Sequence, residues 1–160
     1  GNTADGVAGI FNGGTMILTS STVADNEGPP GGVGGLWIGG TATLKNTIVA
    51  DNTGKNCHLV QPLTDAGYNL SDAACGFTVA TSQQGVDPLL GPLANNGGPT
   101  QTMAVLVGSP AIDQIPPGSS GCGTTVATDQ RGASRPQGVG CDVGAFEVVV
   151  TAPTTGSPNP

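Results

Sequence analysis

The sequence predicts an all-β protein built as a parallel β-helix, also called a β-solenoid. The chain repeats itself without a gap: residues 6–26 align with residues 32–52 at a spacing of 26 residues, and 11 of the 21 aligned pairs are identical. No segment has a sustained helical period, and glycine-containing turns separate short runs of β-branched and small residues. A fixed period of this length is typical of stacked repeats, in which each unit buries its inner face against its neighbours.

Each copy of the repeat is predicted to contain three short strands separated by turn residues. In the first copy these strands are residues 9–11, 15–19 and 22–24. Strands of successive copies are expected to lie about 4.8 Å apart, the spacing of paired strands. We therefore expect regular 26-residue coils over residues 1–56.

The rest of the chain departs from this spacing. Residues 57–150 are predicted to form irregular, disulfide-tied closing coils of the same single domain, 1–150, and residues 151–160 an extended tail rich in proline and threonine. Residues 1–5 resemble the end of an earlier coil. We therefore expect a longer parent chain, or another partner, to cover the first edge of the solenoid.

Composition narrows the functional classes. Glycine and proline make up 41 of 160 residues, which raises disorder as an alternative, but the gap-free repeat and a charged fraction of 9% favour a folded chain. Eleven acidic residues against four cations leave a net charge of -7, which argues against nucleic-acid binding. No apolar run approaches the about 20 residues of a membrane span, so no membrane insertion is expected.

The four cysteines fall into two spaced pairs, Cys57 with Cys75 and Cys122 with Cys141. Two disulfides that close short loops are the economical interpretation, although four cysteines permit three pairings. The chain has no Cys-x-x-Cys motif and a single histidine, His58, so a zinc site is not expected. Disulfides predict an oxidising environment, and we expect an extracellular or cell-surface location.

Two polar columns recur with the repeat, Asp25 above Asp51 and Asn26 above Asn52. Two carboxylates one coil apart are candidates for calcium binding or for an acid/base pair. The favoured interpretation is structural: the Asp-Asn pairs form corners whose side chains bond the local backbone, and stacked asparagines form ladders. We therefore expect no cofactor, and calcium is kept as a candidate ligand.

Two aromatic residues, Trp37 and Tyr68, are candidates for sugar stacking in a chain with only 3% aromatic residues. Trp37 aligns with Phe11 of the first copy, which favours a packed or edge position over a binding platform.

The C-terminal half carries a longer motif. Its parts are DPLLGPLANNGGPTQT at 87–102, GSPAID at 108–113, TDQRG at 128–132 followed by Arg135-Pro136, and CDVGAFE at 141–147. Together these segments resemble the end of bacterial choice-of-anchor Q surface proteins, which are similar to the wider pectate-lyase-like group of right-handed β-helices. The resemblance implies a secreted or surface-exposed right-handed β-helix whose last coils close its C-terminal end. It implies no particular activity.

The same motif contains a charged cluster, Asp129, Arg131, Arg135, Asp142 and Glu147. In pectate-lyase-like enzymes an arginine beside calcium-binding acids abstracts a proton, so the resemblance makes polysaccharide lyase chemistry a hypothesis. The alternative is that the guanidinium groups bridge the terminal loops through bidentate ion pairs. We favour this structural role.

These observations predict a non-catalytic, extracellular structural or adhesive β-solenoid. An exposed first edge offers unpaired backbone groups, so stacking of identical subunits head to tail into a surface filament is expected. The alternative is a polysaccharide-binding module or polysaccharide lyase on the same fold. The expected partners are accordingly other copies of the chain, a longer parent chain, or surface glycans.

Overall fold

The computed structural model describes residues 1–149, and the predicted tail at 151–160 lies outside them. These residues form twelve strands and one short 3₁₀ helix, Ser119–Gly121, which confirms the all-β prediction. The strands are β1 (Ile10–Asn12), β2 (Thr15–Thr19), β3 (Thr22–Ala24), β4 (Val33–Ile38), β5 (Thr41–Lys45), β6 (Ile48–Ala50), β7 (Lys55–Leu59), β8 (Thr64–Asp65), β9 (Leu70–Ser71), β10 (Gln83–Gln84), β11 (Leu90–Ala94) and β12 (Thr102–Val105).

Three parallel sheets hold the first ten strands, and each repeat contributes one strand to each sheet. Their strand orders are β1-β4-β7, β2-β5-β8 and β3-β6-β9-β10. Thr15 pairs with Thr41, and Val23 pairs with Val49, so the register equals the 26-residue spacing of the sequence repeat. The strands therefore stack in chain order, as parallel sheets of a repeat protein do.

The third layer of strands uses a shorter spacing than the first two. Leu36 pairs with Cys57, and Ile48 pairs with Leu70, so these partners are 21 and 22 residues apart. Strands β7, β8 and β9 therefore continue all three sheets as far as Ser71, well beyond residue 56, where we expected the regular coils to end. The spacing is shorter because the connections between these strands contain fewer residues, but the strands still pair with the layer before them.

A first apolar cluster lies between the three sheets. Its centre is formed by Leu36, Ile38, Leu44 and Val49, which are fully buried. Alternate residues of a strand point to opposite faces, so each strand supplies only one or two side chains to this interior. Phe77 and Cys75 join the cluster at its β7 end.

The region after β10 adds no strand to the parallel sheets. Strands β11 and β12 pair with each other in antiparallel orientation. A second apolar cluster joins Ile48 and Ala50 of β6 to Val105, Ile115 and Phe146. Residues 87–149 therefore pack against the outer face of the β3-β6-β9-β10 sheet, whereas the resemblance implied that they would close the end of the solenoid as further coils.

Two disulfides join Cys57 to Cys75 and Cys122 to Cys141, the pairing expected from the spacing. Disulfides of this kind persist in oxidising environments, which indicates an extracellular setting. Within residues 1–149 no helix is long and apolar enough to cross a membrane.

Candidate functional site

Within residues 1–149, β1 and β2 form one unpaired strand edge of the stack, and β7 and β8 form the other. Each of these strands pairs on one side only, β1 with β4 and β2 with β5. The Gly14 carbonyl accepts from Thr41 N–H, and Ser20 N–H donates to Lys45, so the even-numbered positions of β2 face β5. Backbone groups alternate along a strand, so those of Thr15, Ile17 and Thr19 face the free side.

Burial differs sharply between the first repeat and the second. Leu44 is 0% exposed, whereas Leu18, the identical residue one repeat earlier, is only half-buried. Ile17 and Phe11 are 70% and 64% exposed. A cavity of about 210 Å³ opens at the same end of the interior, beside Ile10 and Val23. Among residues 1–149, the first layer is therefore less buried than the second.

At the opposite end of the stack, residues 75–84 pack against the apolar interior and bond to β8, although β7 and β8 pair with a strand on one side only. Below β8, the Asp65 carboxylate accepts hydrogen bonds from Thr78 N–H at 2.8 Å, Val79 N–H at 2.7 Å and the Ser82 hydroxyl at 2.7 Å. Burial alone would raise the pKa of Asp65, but these hydrogen bonds and one from Asn69 outweigh it and lower the pKa. Asp65 is thus a capping residue that the sequence analysis missed, because nothing in its local sequence indicates these contacts.

Phe11, Trp37 and His58 form a column of stacked rings on the β1-β4-β7 sheet. The Phe11 and Trp37 rings are nearly parallel with centroids 4.4 Å apart, and the Trp37 and His58 centroids are 6.1 Å apart. Gly39 leaves room for the indole, because a Cβ there would lie 2.2 Å from the Trp37 ring. Trp37 is therefore flanked on both ring faces, the kind of packed position that its alignment with Phe11 favoured over a sugar-stacking platform.

Tyr68, the second aromatic candidate, lies elsewhere. It packs partly buried against the second apolar cluster, which contains Ile48 and Phe146. The structure therefore does not bring Tyr68 and Trp37 together into one aromatic surface.

The Asp-Asn corners lie at the ends of β3 and β6. Asp25 and Asp51 adopt left-handed backbone conformations, with φ of 58° and 56°. The Asn26 side-chain amide donates to Asn52 Oδ1 at 2.8 Å, and Asn2 donates to Asn26 Oδ1 at 3.2 Å. These asparagines form a ladder that runs across three layers of chain and begins with a residue that the sequence repeat did not reveal.

Asp51 lies close to other carboxylates. Burial raises its pKa, and the nearby carboxylates of Asp72, Asp87 and Asp25 raise it further. In residues 1–149, no group of three or more His, Cys, Asp or Glu side chains is arranged to hold a metal ion.

Within the charged cluster, Arg131 is surrounded by partners. Its Nε donates to Asp129 Oδ2 at 2.8 Å, its NH1 group donates to the Asn96 carbonyl at 3.2 Å, and its NH2 group donates to the Glu147 carbonyl. The guanidinium carbon lies 3.6 Å from the centre of the Phe146 ring, a cation–π geometry. Arg131 thus joins three separate segments of the C-terminal region.

Arg135 is more deeply buried, at 4% exposed. Its guanidinium donates to the carbonyls of Asp142 at 2.6 Å and Gly144 at 2.7 Å, and lies 3.4 Å from Glu147 Oε2. Burial lowers the pKa of Arg135, although Glu147 opposes this effect. Burial likewise raises the pKa of Asp142 and of Glu147, against the hydrogen bonds that they accept.

Asp129 differs from the other buried acids of the cluster. It accepts hydrogen bonds from the backbone N–H groups of Glu147, Arg131 and Ala133 and from the Arg131 side chain. Burial raises its pKa, but these bonds outweigh that effect and lower it. The sequence grouped the five charged residues correctly, but could not show that most of their bonds go to the backbone.

A groove of about 460 Å³ separates the solenoid from the C-terminal region. Hydroxyl groups line one wall, and Gln130, Asp129 and Arg135 contribute to the other; the solenoid wall contains Thr19, Ser20, Ser21 and Thr22. Arg135 Nε has no hydrogen-bond partner within residues 1–149. The groove is the second candidate site.

These features define an all-β protein made of stacked parallel repeats, with two disulfides and a C-terminal region packed on one sheet. Comparisons of the chain with protein-family models, with curated proteins and with solved structures find no match. The function is therefore argued from the geometry of the chain itself.

Proposed function

We propose that this protein is a non-catalytic structural or adhesive module outside the cell, built as a right-handed parallel β-helix. The observation that carries this proposal is the stack of parallel strands, whose register equals the 26-residue spacing of the sequence repeat and leaves a narrow apolar interior. Stacked repeats of this kind are stabilised mainly by contacts between neighbouring layers. The two disulfides fit a location in an oxidising extracellular medium.

Right-handed winding follows from a general rule of chain topology. Parallel strands of one sheet, such as β2 and β5, are joined here by a crossover that passes through β3 and β4. Crossovers of this kind are right-handed in about 98% of cases. The C-terminal motif, which resembles that of choice-of-anchor Q surface proteins, supports the same architecture and a place at the cell surface.

The contacts of the two arginines support a structural role over lyase chemistry. A base must reach a substrate proton, whereas every nitrogen of Arg131 donates to Asp129, Asn96 or Glu147. Arg135 is buried and holds two main-chain carbonyls. Neither guanidinium is presented to solvent in a way that suits proton abstraction.

We also propose that solenoid ends associate head to tail. Within residues 1–149, β1 and β2 at one end of the stack and β7 and β8 at the other pair with a strand on one side only. Unpaired strand edges are templates for pairing with another chain, so stacking of identical subunits that does not close into a ring would produce a filament.

A second candidate function is polysaccharide binding in the groove beside Arg135. A hydroxyl-lined wall opposite Gln130 offers hydrogen-bonding groups suited to carbohydrate hydroxyls. This candidate deepens the adhesive interpretation if binding occurs without turnover.

The test is an assay of the oxidised protein on a panel of acidic polysaccharides, with and without calcium, followed by a glycan array. We expect no unsaturated product and no loss of polymer length. Turnover that disappears in a folded Arg131→Ala variant would establish a lyase and overturn the proposal. Glycan binding that is lost on Gln130→Ala, without turnover, would place adhesion in the groove.

A further inference from the structure

The outer face of the β2-β5-β8 sheet carries a regular array of threonine side chains. Leu18 and Leu44 pack into the first apolar cluster, so the alternate positions of their strands point outward. The outward positions, here called the threonine face, hold five threonines, one isoleucine and one lysine: Thr15, Ile17, Thr19, Thr41, Thr43, Lys45 and Thr64. We propose that the threonine face binds the surface of ice, an activity that goes beyond the proposed structural function.

The array is regular in two directions. Strands β2 and β5 pair in register along their whole length, so Thr15 lies beside Thr41. Thr43 lies beside Ile17 on one side and Thr64 on the other. Side chains one layer apart are therefore separated by about 4.8 Å, and outward side chains of one strand by about 6.6 Å. Oxygen atoms on a prism face of hexagonal ice repeat in two perpendicular directions at distances of similar size, so the face is a template for water in that arrangement.

Threonine supplies both kinds of contact that ordered water needs. Its hydroxyl donates and accepts hydrogen bonds, and its methyl group is an apolar surface beside which water molecules bond to one another. The branched side chain has few rotamers, so the array is stiff. The Thr41 hydroxyl donates to the Thr15 hydroxyl at 3.1 Å, which fixes the orientation of both side chains. Thr15, Thr41 and Thr64 are exposed, so their hydroxyl and methyl groups are open to water.

The distribution of charge favours a neutral ligand on this face. None of its seven positions holds an acidic residue, although the chain has a net charge of -7. Asp25 and Asp51 lie at the corners that follow β3 and β6, and Asp65 is on the opposite face of β8 from Thr64. Lys45 stands at one margin of the array. A charged group holds a hydration shell of its own, so a face made mostly of uncharged groups fits the ordered, neutral water of ice better.

Other classes of ligand fit the threonine face less well. Small molecules bind in concave sites, whereas this face is the outer surface of a sheet. Protein interfaces centre on aromatic, arginine or large apolar anchors, and Ile17 is the one large apolar side chain among the seven positions. A stacking platform for sugars needs aromatic rings, and the stacked rings of Phe11 and Trp37 belong to a different sheet. The regular spacing of hydroxyl and methyl groups therefore points to ice.

The decisive experiment is the partition of the oxidised protein between ice and liquid while ice grows slowly from a dilute solution. A protein without affinity for ice is excluded from the crystals, so we expect this protein to be enriched in the ice and to inhibit recrystallisation in frozen films. Thr43→Tyr places a bulky ring at the centre of the array and is expected to abolish both effects. Thr64→Tyr, at an exposed position of the same face, is the second variant and serves if Thr43→Tyr fails to fold.

The matched control is Thr53→Tyr. Thr53 is an exposed threonine of the same repeat, but it lies at the corner between β6 and β7, outside the threonine face. This variant gains the same ring and is expected to enter ice as the unchanged protein does. Circular dichroism of each variant checks that the β structure is retained.

Exclusion of the folded, unchanged protein from ice would overturn this inference and leave the proposed structural function standing. Enrichment that folded Thr43→Tyr and Thr64→Tyr both retain would also overturn it, because another surface would then bind the ice. Sedimentation with chitin or cellulose fibres that is lost in Thr43→Tyr, without enrichment in ice, would overturn it in favour of a polysaccharide on the same face. Failure of the proposed function has a different signature, which is turnover of a polysaccharide.

Discussion

The two parts of this molecule are held together by different kinds of interaction. Residues 1–86 form stacked strands, in which backbone hydrogen bonds repeat from layer to layer and the interior is apolar. Residues 87–149 contain one antiparallel strand pair and rely on buried charged side chains that bond to the backbone. The comparison shows that a chain can fold irregular loops when ionic side chains take over the bonding that strands provide elsewhere.

The difference also concerns what each part leaves exposed. Strands at both ends of the repeat region pair on one side only within residues 1–149. The C-terminal region bonds partly to the repeat region, where Gly144 N–H donates to the Asn46 carbonyl, and packs its apolar residues, such as Phe146, against the β6 sheet. The repeat region therefore leaves strand edges exposed, whereas the C-terminal region uses its bonding groups to hold loops in place.

The largest effect is expected for Arg135→Met. Removing the guanidinium leaves Glu147 as a buried charge without its partner and leaves the carbonyls of Asp142 and Gly144 unbonded. Breaking a buried pair in this way costs about 3–5 kcal/mol in the free energy of unfolding. Urea unfolding followed by circular dichroism measures it. Lys45→Met, on a strand of the repeat region, is the control and is expected to stay within about 0.5 kcal/mol.

A loss of less than about 1 kcal/mol in Arg135→Met would mean that the charged cluster does not hold the C-terminal region.

The next effect compares one residue type in two layers of the repeat. Leu44→Ala empties a fully buried site and is expected to lower the free energy of unfolding by about 2–5 kcal/mol. Leu18→Ala, at the matching half-buried site, is expected to cost about half as much or less in the monomer, because less area is removed from contact. Denaturant unfolding at low protein concentration measures both. Equal losses at low concentration would mean that the first layer is already covered.

The two disulfides offer a similar comparison between the regions. Each closes a loop of about 20 residues, for which the chain-entropy model predicts roughly 3 kcal/mol of stabilisation. We expect Cys122→Ala with Cys141→Ala to loosen the C-terminal region selectively, because this disulfide lies within the second apolar cluster. The double variant Cys57→Ala and Cys75→Ala should instead loosen residues 75–84, which pack at the end of the stack formed by β7 and β8. Hydrogen exchange of each double variant locates the change, and identical exchange patterns would contradict this division.

The smallest expected effect is a pH dependence at the end of the stack formed by β7 and β8. Hydrogen bonds lower the pKa of Asp65 in the folded protein, so its contribution to stability is present above its unfolded pKa, about 3.9, and is lost as the pH falls through the lower folded value. Asp65→Asn should therefore lower stability at neutral pH and reduce the loss of stability below about pH 4. Asp142 and Glu147 contribute to the pH dependence of stability with the opposite sign from Asp65, because burial raises the pKa of each carboxyl in the folded protein.

Urea midpoints measured from neutral to acidic pH test this prediction. If the urea midpoint of Asp65→Asn falls at acidic pH as steeply as that of the unchanged protein, another carboxylate controls the loss of stability in acid.

Local pattern was sufficient to predict the strands of the first two layers and their register. Strands β2 and β3 have the predicted bounds, because turn residues and β-branched residues define them within a few positions. For residues beyond 56 the sequence predicted only irregular coils and no strand bounds. Shorter connections shift Cys57 and Leu70 away from the 26-residue spacing, although their backbones still pair with the second layer.

The candidate sites follow the same division. The cysteine pairing and the grouping of the five charged residues could be inferred from spacing and motif. The flanking of Trp37 by Phe11 and His58 could not, because His58 lies in the layer whose spacing had changed. Asp65 was also missed, since its partners at Thr78 and Val79 come from an irregular segment.

By itself, the sequence determined the strand type, the repeat and the parallel register. These features depend on turn residues close to each strand and on equal spacing of the strands in the first two layers, so that residues 26 apart pair. Only the tertiary structure decided where the C-terminal region lies. Ala145 N–H, for example, donates to the Thr22 hydroxyl from 123 residues away. Contacts at such separations depend on the shapes and hydrogen-bonding groups of the folded repeat region and the folded C-terminal region. No repeat spacing in the sequence indicates them.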